Sequence, residues 1–105
     1  MNIKNILNGI PQEVPDEIFE RIISSENIRI ERIISKGQSS RENFWYDQDE
    51  NEWLILIRGK ARLKFINEEA IELNKGDYLN IPAHQKHRVE WTDPENVTIW
   101  LTVFY

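Results

Sequence analysis

The residues best suited to chemistry lie in two short stretches of this chain, residues 45–59 and residues 76–87. The second stretch contains both histidines of the protein, His84 and His87, and the first is a carboxylate-rich loop that leads through Glu52 into an apolar run. Divalent metals such as Zn, Fe, Mn or Ni accept mixed sets of imidazole and carboxylate ligands. The two stretches therefore predict one polar site, with a divalent metal as its candidate cofactor.

The candidate metal ligands share an imidazole, carboxylate or amide group, and they are Glu52, His87, Gln48, Asp47 and His84. Glu52 is the most informative of them, because the apolar residues Trp53 and Leu54 follow it directly. A carboxylate buried in such a setting needs a charge partner, a metal or a raised pKa. Without a metal, His87 would be a hydrogen-bonded histidine of the interior and His84 an exposed turn residue, and both alternatives stay open at this stage.

Three aromatic residues adjoin these polar positions and are predicted to line a ligand pocket: Tyr46, Trp45 and Trp91. Trp91 and His87 are expected to point to the same interior. A pocket with an aromatic wall and a few convergent polar groups is the usual form of a small-ligand site. The expected ligand is a small molecule that is apolar, planar or sugar-like.

Short β-strands must position these residues, since apolar and β-branched segments recur between turn residues. The predicted strands cover residues 28–34, 53–58, 61–65, 70–73, 78–81, 88–92 and 97–105. In residues 61–65 the apolar residues alternate strictly with basic ones, which is typical of a strand with one buried face. No helical segments alternate with the strands, so the pattern predicts an all-β sandwich or closed barrel.

Residues 1–27 differ in texture and are predicted to form an N-terminal arm on a barrel of residues 28–105. Pro15 followed by two acidic residues is typical of a helix start. Four apolar residues then recur at helical spacing, namely Ile18, Phe19, Ile22 and Ile23. The pattern predicts a short helix packed on the outside of the barrel.

Length and charge exclude several classes of function. The 105 residues suffice for one modest core, and the absence of cysteine excludes disulfides and thiolate sites. A net charge of −5 with scattered basic residues argues against nucleic acid as a partner. No signal peptide and no membrane-spanning run is found, so the expected location is the cytoplasm, away from membranes.

The stretch from Gly76 to His87 resembles the second sequence motif of the cupins. That motif reads G-x5-P-x-G-x2-H-x3-N, and Gly76, Pro82 and His87 match it, while His84 replaces the second glycine and Trp91 the asparagine. Since glycine is usual at that turn, the backbone of His84 is expected to be left-handed. The resemblance implies that His87 takes the position of a metal-binding histidine.

The upstream stretch is similar to half of the first cupin motif, G-x5-H-x-H-x3/4-E-x6-G. Glu52 and Gly59 match its second half, whereas the two motif histidines are replaced by Tyr46 and Gln48, or by Trp45 and Asp47 with the longer spacer. The resemblance implies a jelly-roll (RmlC-like) antiparallel β-barrel of the small single-domain type. It also implies a homodimer, which is common among single-domain cupins.

Three functions are compatible with these features. The leading hypothesis is binding of a small molecule in the barrel, possible with or without a divalent metal held through Glu52 and His87. The first alternative is a metal-dependent enzyme of the dioxygenase, isomerase or decarboxylase type. The second is a structural or regulatory homodimer whose barrel is filled by its own side chains. Whether the chain is an enzyme is left undecided by the sequence.

Overall fold

The computed structural model describes all 105 residues and contains two antiparallel β-sheets and no α-helix. The strands are β1 (Ile18–Ser24), β2 (Arg29–Ser35), β3 (Glu52–Arg58), β4 (Ala61–Phe65), β5 (Ile71–Leu73), β6 (Tyr78–Ile81), β7 (His87–Thr92) and β8 (Thr98–Phe104). The larger sheet has the order β1-β2-β8-β3-β6, and the smaller one has the order β5-β4-β7. The all-β jelly-roll architecture is as the sequence predicts.

The core lies between the two sheets, where their inner faces meet. It is formed by buried apolar side chains from both sheets, namely Leu54, Leu56, Ala61, Leu63, Phe65, Leu73, Ile81 and Trp100. Each large side chain removed from water in this way contributes about 1.5 to 3 kcal/mol. The alternation predicted for β4 is confirmed, since Ala61, Leu63 and Phe65 are buried while Arg62 is exposed.

The predicted N-terminal helix is wrong, because residues 18–24 form β1 at the edge of the larger sheet. The pairing of β1 with β2 shifts register between Arg21 and Ile23, so Ile22 is an extra, bulged residue. A bulge adds one residue to the two-residue repeat of a strand. The apolar residues then recur at spacings that imitate one face of a helix, which explains the misassignment.

Residues before β1 pack on the outer face of the larger sheet. Arg32 of β2 donates hydrogen bonds to the carbonyl oxygens of Ile6 (2.9 Å) and Asn8 (2.6 Å), and Val14 is buried. The boundary between an arm and a barrel at residue 27 stays a prediction. The structure has no helix with the length and hydropathy needed to cross a lipid bilayer.

Candidate functional site

Two backbone segments bring the polar residues of the two motifs together at one end of the barrel. Tyr46 and His87 form an antiparallel bridge, with N–H···O distances of 2.7 and 3.2 Å, and the amide of His84 donates to the carbonyl of Gln48 at 2.8 Å. The loop before β3 is therefore held against the turn before β7. These pairings place Tyr46 and His87 side by side on the inner face.

His87 and Glu52 face each other inside the barrel. The Nε2 atom of His87 lies 3.4 Å from Oε1 of Glu52, and their side chains are only 7% and 11% exposed. Gln48 donates to the same carboxylate oxygen from its Nε2 atom at 3.2 Å. The burial expected for Glu52 is thus confirmed, and its charge partner is an imidazole.

The protonation of the His87 ring follows from the contact of its Nδ1 atom. Nδ1 lies 2.8 Å from the carbonyl oxygen of Gln85, which can only accept, so Nδ1 carries a proton. Burial lowers the pKa of His87, but the hydrogen bond and charge of Glu52 and the carbonyl of Gln85 more than offset it. The pKa of His87 therefore lies above its ordinary value, which favours an imidazolium–carboxylate pair.

The remaining predicted ligands lie apart from this pair. His84, with φ 64° as the glycine position predicts, is 63% exposed at the rim. Its Nδ1 atom lies 2.8 Å from Oδ1 of Asp47, and its Nε2 atom lies 3.3 Å from Oδ1 of Asp49. His84 and Asp47 therefore interact with each other at the surface and do not join Glu52 and His87.

The donor set inside the barrel does not fit a tightly held divalent metal. One imidazole (His87), one carboxylate (Glu52) and the amide of Gln48 are near one another, and no group of three or more His, Asp or Glu side chains is close enough to share an ion. Catalytic zinc sites use three protein ligands, most of them imidazole, carboxylate or thiolate. The interior site supplies only two such ligands, His87 and Glu52.

A cavity of about 90 Å³ lies beside the His87–Glu52 pair and opens to the outside. Its walls come from both sheets and are mostly apolar, with Leu54, Leu63, Val89, Trp100 and Phe104 among the lining residues. An open depression of about 480 Å³, hereafter the mouth, adjoins it and is lined in part by Arg41 and Phe44. The barrel is therefore not completely filled by its own side chains.

Tyr46, one of the predicted pocket residues, lines both the cavity and the mouth. Its ring stacks on that of His87, with centroids 5.5 Å apart and an interplanar angle of 25°. Burial, together with the negative charges of Glu17 and Glu52, raises the pKa of Tyr46. Its hydroxyl therefore keeps its proton and can donate a hydrogen bond into the cavity.

The other two predicted pocket residues face away from the cavity. Trp45 precedes the inward-facing Tyr46 and lies 5.9 Å from the guanidinium of Arg88. Trp91 packs 4.8 Å from the guanidinium of Arg62. Strict alternation from His87 through Val89 would point Trp91 inward as well. The pairing of β7 with β4 shifts register between Val89 and Trp91, and this extra residue turns Trp91 outward.

Sequence reasoning missed Glu17, which lines the same cavity as Tyr46, Glu52 and His87. It directly precedes β1, and Phe19, two residues later, lines the same cavity because alternate residues of a strand share one face. The helix assignment placed Glu17 in a helical first turn. A strand assignment of the same residues would have placed Glu17 and Phe19 on one face.

Comparisons with known proteins agree with this architecture. The cupin domain family model matches residues 31–104, which is more than half of the chain. The chain is a cupin. No curated protein matches it.

Solved structures extend the comparison. This cupin is similar to a candidate mannose-6-phosphate isomerase from Ralstonia eutropha JMP134, with 38% identity, a TM-score of 0.95, and coverage of 99% of this chain and 97% of that one. A cupin superfamily protein from Desulfitobacterium hafniense DCB-2 has 18% identity, a TM-score of 0.74, and coverage of 90% and 82%. An RmlC-like cupin from Methanocaldococcus jannaschii has 16% identity, a TM-score of 0.71, and coverage of 90% and 84%. The last two support the fold alone.

Proposed function

We propose that this cupin binds a small hydroxyl-bearing molecule, such as a sugar, in its barrel. The observation that carries the proposal is a cavity with apolar walls and three unpartnered polar atoms. They are the Tyr46 hydroxyl, one oxygen of Glu17 and one oxygen of Glu52, none of which has a hydrogen-bond partner in the protein. Solvent reaches all three atoms, so a ligand that displaces water from the cavity can form hydrogen bonds with them.

The lining residues suit a sugar in particular. Carboxylates accept hydrogen bonds from hydroxyl groups, and the aromatic faces of Tyr46 and Phe19 can pack against the apolar face of a sugar ring. The interior volume of about 90 Å³ is smaller than the roughly 150 Å³ that accommodates benzene in an engineered cavity. A ring-sized ligand therefore has to extend into the mouth, where Phe19 and Tyr46 also lie.

The relative from Ralstonia eutropha supports the same ligand class. That relative is a candidate mannose-6-phosphate isomerase, and it is 38% identical to this chain over nearly the whole length of both. Mannose and mannose 6-phosphate are therefore suitable probes. That this chain binds a sugar, and which sugar it binds, are both parts of the proposal.

Binding is tested by titrating both probes into the parent protein and Tyr46→Phe by calorimetry. Loss of one neutral hydrogen bond is expected to weaken binding about 3- to 10-fold in Tyr46→Phe. Tyr78→Phe is the matched control, because Tyr78 is exposed outside the cavity. Failure of both probes to bind the parent would contradict the proposal, and so would equal binding by Tyr46→Phe.

Aldose–ketose isomerisation is a second candidate function, favoured by the His87–Glu52 pair at the cavity wall. Such a reaction removes a proton from C2 of the sugar, shifts a proton between the oxygens of C1 and C2, and returns a proton to C1. In this pair the Glu52 carboxylate is suited to accept and return the carbon-bound proton, and the His87 imidazolium is suited to donate a hydrogen bond to the sugar oxygens. Incubating mannose and mannose 6-phosphate separately in D₂O and following ketose formation and deuterium uptake by NMR tests this candidate with the same samples.

A divalent metal (Zn, Fe, Mn or Ni) is not required by the proposed binding function. Because the protein offers only Glu52 and His87 as strong ligands, a metal-dependent version would need further donors from the bound molecule. Mass spectrometry of protein purified without affinity nickel tests for a resident metal. Near-stoichiometric metal, lost in Glu52→Ala and His87→Ala, would favour the metal-dependent version.

A homodimer formed along β1 is also proposed. β1 is an edge strand, and Ile22 and Ile23 are about half exposed on it. Exposed apolar edge strands favour pairing with another strand. Light scattering measures whether the parent is dimeric. If it is, Ile23→Lys is expected to raise the dimer dissociation constant at least about 10-fold. Ile71→Lys, on the edge strand of the other sheet, is the control and should leave the dissociation constant unchanged. A monomeric parent at about 100 μM protein would contradict the proposal.

A further inference from the structure

Glu17 lies where the interior cavity meets the mouth. It lines both spaces, together with Phe19, Tyr46 and Val89. A ligand that extends from the interior into the mouth therefore passes Glu17. The residue belongs to neither cupin motif, and it enters the site from the segment before β1.

A hydrogen-bond chain orients the Glu17 carboxylate. The indole N–H of Trp100 donates to Oγ of Ser35 at 3.2 Å, and the hydroxyl of Ser35 donates to Oε2 of Glu17 at 3.0 Å. An indole can only donate and a carboxylate can only accept, so the direction of the chain is fixed. Ser35 and Trp100 are both buried, which holds Oε2 in place and leaves Oε1 for a ligand.

No cation compensates the charge of Glu17. It forms no ion pair, and burial raises its pKa, although the hydrogen bond from Ser35 partly offsets this effect. Because its pKa is higher in the folded state, the contribution of Glu17 to stability is greatest below its unfolded pKa and is lost as pH rises through the folded value. Keeping this carboxylate at neutral pH costs stability, which is common for residues that bind ligands.

The charges around Glu17 determine which ligand groups it can bind. Ser35 of β2 is neutral, Tyr46 is a neutral phenol, and His87 of β7 is paired with Glu52 of β3. Arg41 is the cation of the mouth lining, and its side chain is exposed to solvent. The junction therefore has one uncompensated negative charge, which repels anions in a partly sheltered setting.

We infer that Glu17 determines ligand specificity at this junction: it accepts a hydrogen bond from a ligand hydroxyl and disfavours an anionic group. The inference rests on the proposed sugar-binding function. It predicts that the barrel prefers an uncharged sugar to the phosphate ester of the same sugar. The residue acts by direct contact with the ligand, and the chain from Trp100 through Ser35 positions it.

The test compares dissociation constants for mannose and mannose 6-phosphate at pH 7.5 in the parent, Glu17→Gln and Glu13→Gln. The parent is expected to bind mannose at least about 10-fold more tightly than the phosphate. Glu17→Gln is expected to weaken mannose binding about 10-fold and to reduce the preference to within about 2-fold. Glu13→Gln removes the same charge from an exposed position outside the cavity and should behave as the parent does.

Thermal unfolding separates a binding role from a structural one. If Glu17 is kept for binding, Glu17→Gln melts at a higher temperature than the parent at pH 7.5 while binding mannose less tightly. Ser35→Ala, which keeps the charge but frees the carboxylate, should weaken mannose binding and still disfavour the phosphate. It provides a second test if Glu17→Gln does not fold.

The outcomes distinguish this inference from the function on which it rests. If the parent binds mannose 6-phosphate as well as mannose or better, or if Glu17→Gln keeps the parent's preference, the inference is wrong and sugar binding stands. If neither sugar binds the parent, the proposed function fails, and the specificity assigned to Glu17 fails with it.

Discussion

Replacing His87 with leucine is expected to lower the free energy of unfolding by about 3 kcal/mol at pH 7. Replacing both His87 and Glu52 with leucine is expected to restore most of that loss. In the single variant the buried carboxylate keeps only the hydrogen bond from Gln48. In the double variant both charges of the pair are gone, and apolar side chains of similar size occupy a mostly apolar cavity.

Urea denaturation of the parent, the two single variants and the double variant measures these differences. Glu52→Leu alone is expected to cost less than His87→Leu, because an imidazole loses its proton near neutral pH, whereas a carboxylate is protonated at pH 7 only if burial raises its pKa by several units. A double variant as unstable as His87→Leu would show that the pair serves the fold. Recovery in the double variant, with loss of ligand binding, would show that the pair is kept for the site.

Gly59→Ala is expected to destabilise the protein by more than about 3 kcal/mol, and Gly76→Ala by about 1 kcal/mol. Both glycines have positive φ, 95° and 90° respectively. A Cβ atom on Gly59 would lie 2.6 Å from the Cα atom of Thr98 and still closer to its Oγ1 atom, whereas nothing lies within 4 Å at Gly76. Thr98 is fully buried in β8, so its backbone has little room to move.

The two glycine variants control for each other, because both carry the strain of a positive φ and only one carries the clash. Their unfolding free energies, measured in urea under the same conditions, give the cost of the clash by difference. Equal costs for both substitutions would contradict the close approach of Gly59 to β8. The comparison would also explain why the E-x6-G spacing ends on glycine in this chain.

Most of the fold follows from local patterns in the sequence. β4 is recognisable from the alternation of Ala61, Leu63 and Phe65, and the turns around it from glycine and asparagine, with Asn67 at φ 63°. The meeting of Glu52 and His87 follows from the cupin motifs, whose two halves lie on paired segments. These features depend on spacing along the chain, which the sequence displays directly.

Two bulges account for what the sequence did not reveal. The bulge at Ile22 disguises β1 as a helix and so conceals Glu17, and the register shift near Trp91 turns that side chain out of the barrel. A bulge is stabilised by pairing with a neighbouring strand, so its position depends on contacts distant in sequence. The volume of the cavity is likewise a result of packing between sheets.

The imidazole of His87 is restrained on several sides before any ligand arrives. The carbonyl of Gln85 holds Nδ1, the ring of Tyr46 stacks on it, and the ring of Phe65 lies 6.0 Å away. Immobilising a flexible side chain on association typically costs about 0.5 to 1.5 kcal/mol. The His87 side chain already loses that entropy when the chain folds. Binding a ligand therefore does not pay this cost again, and the free energy of its contacts with His87 is retained in full.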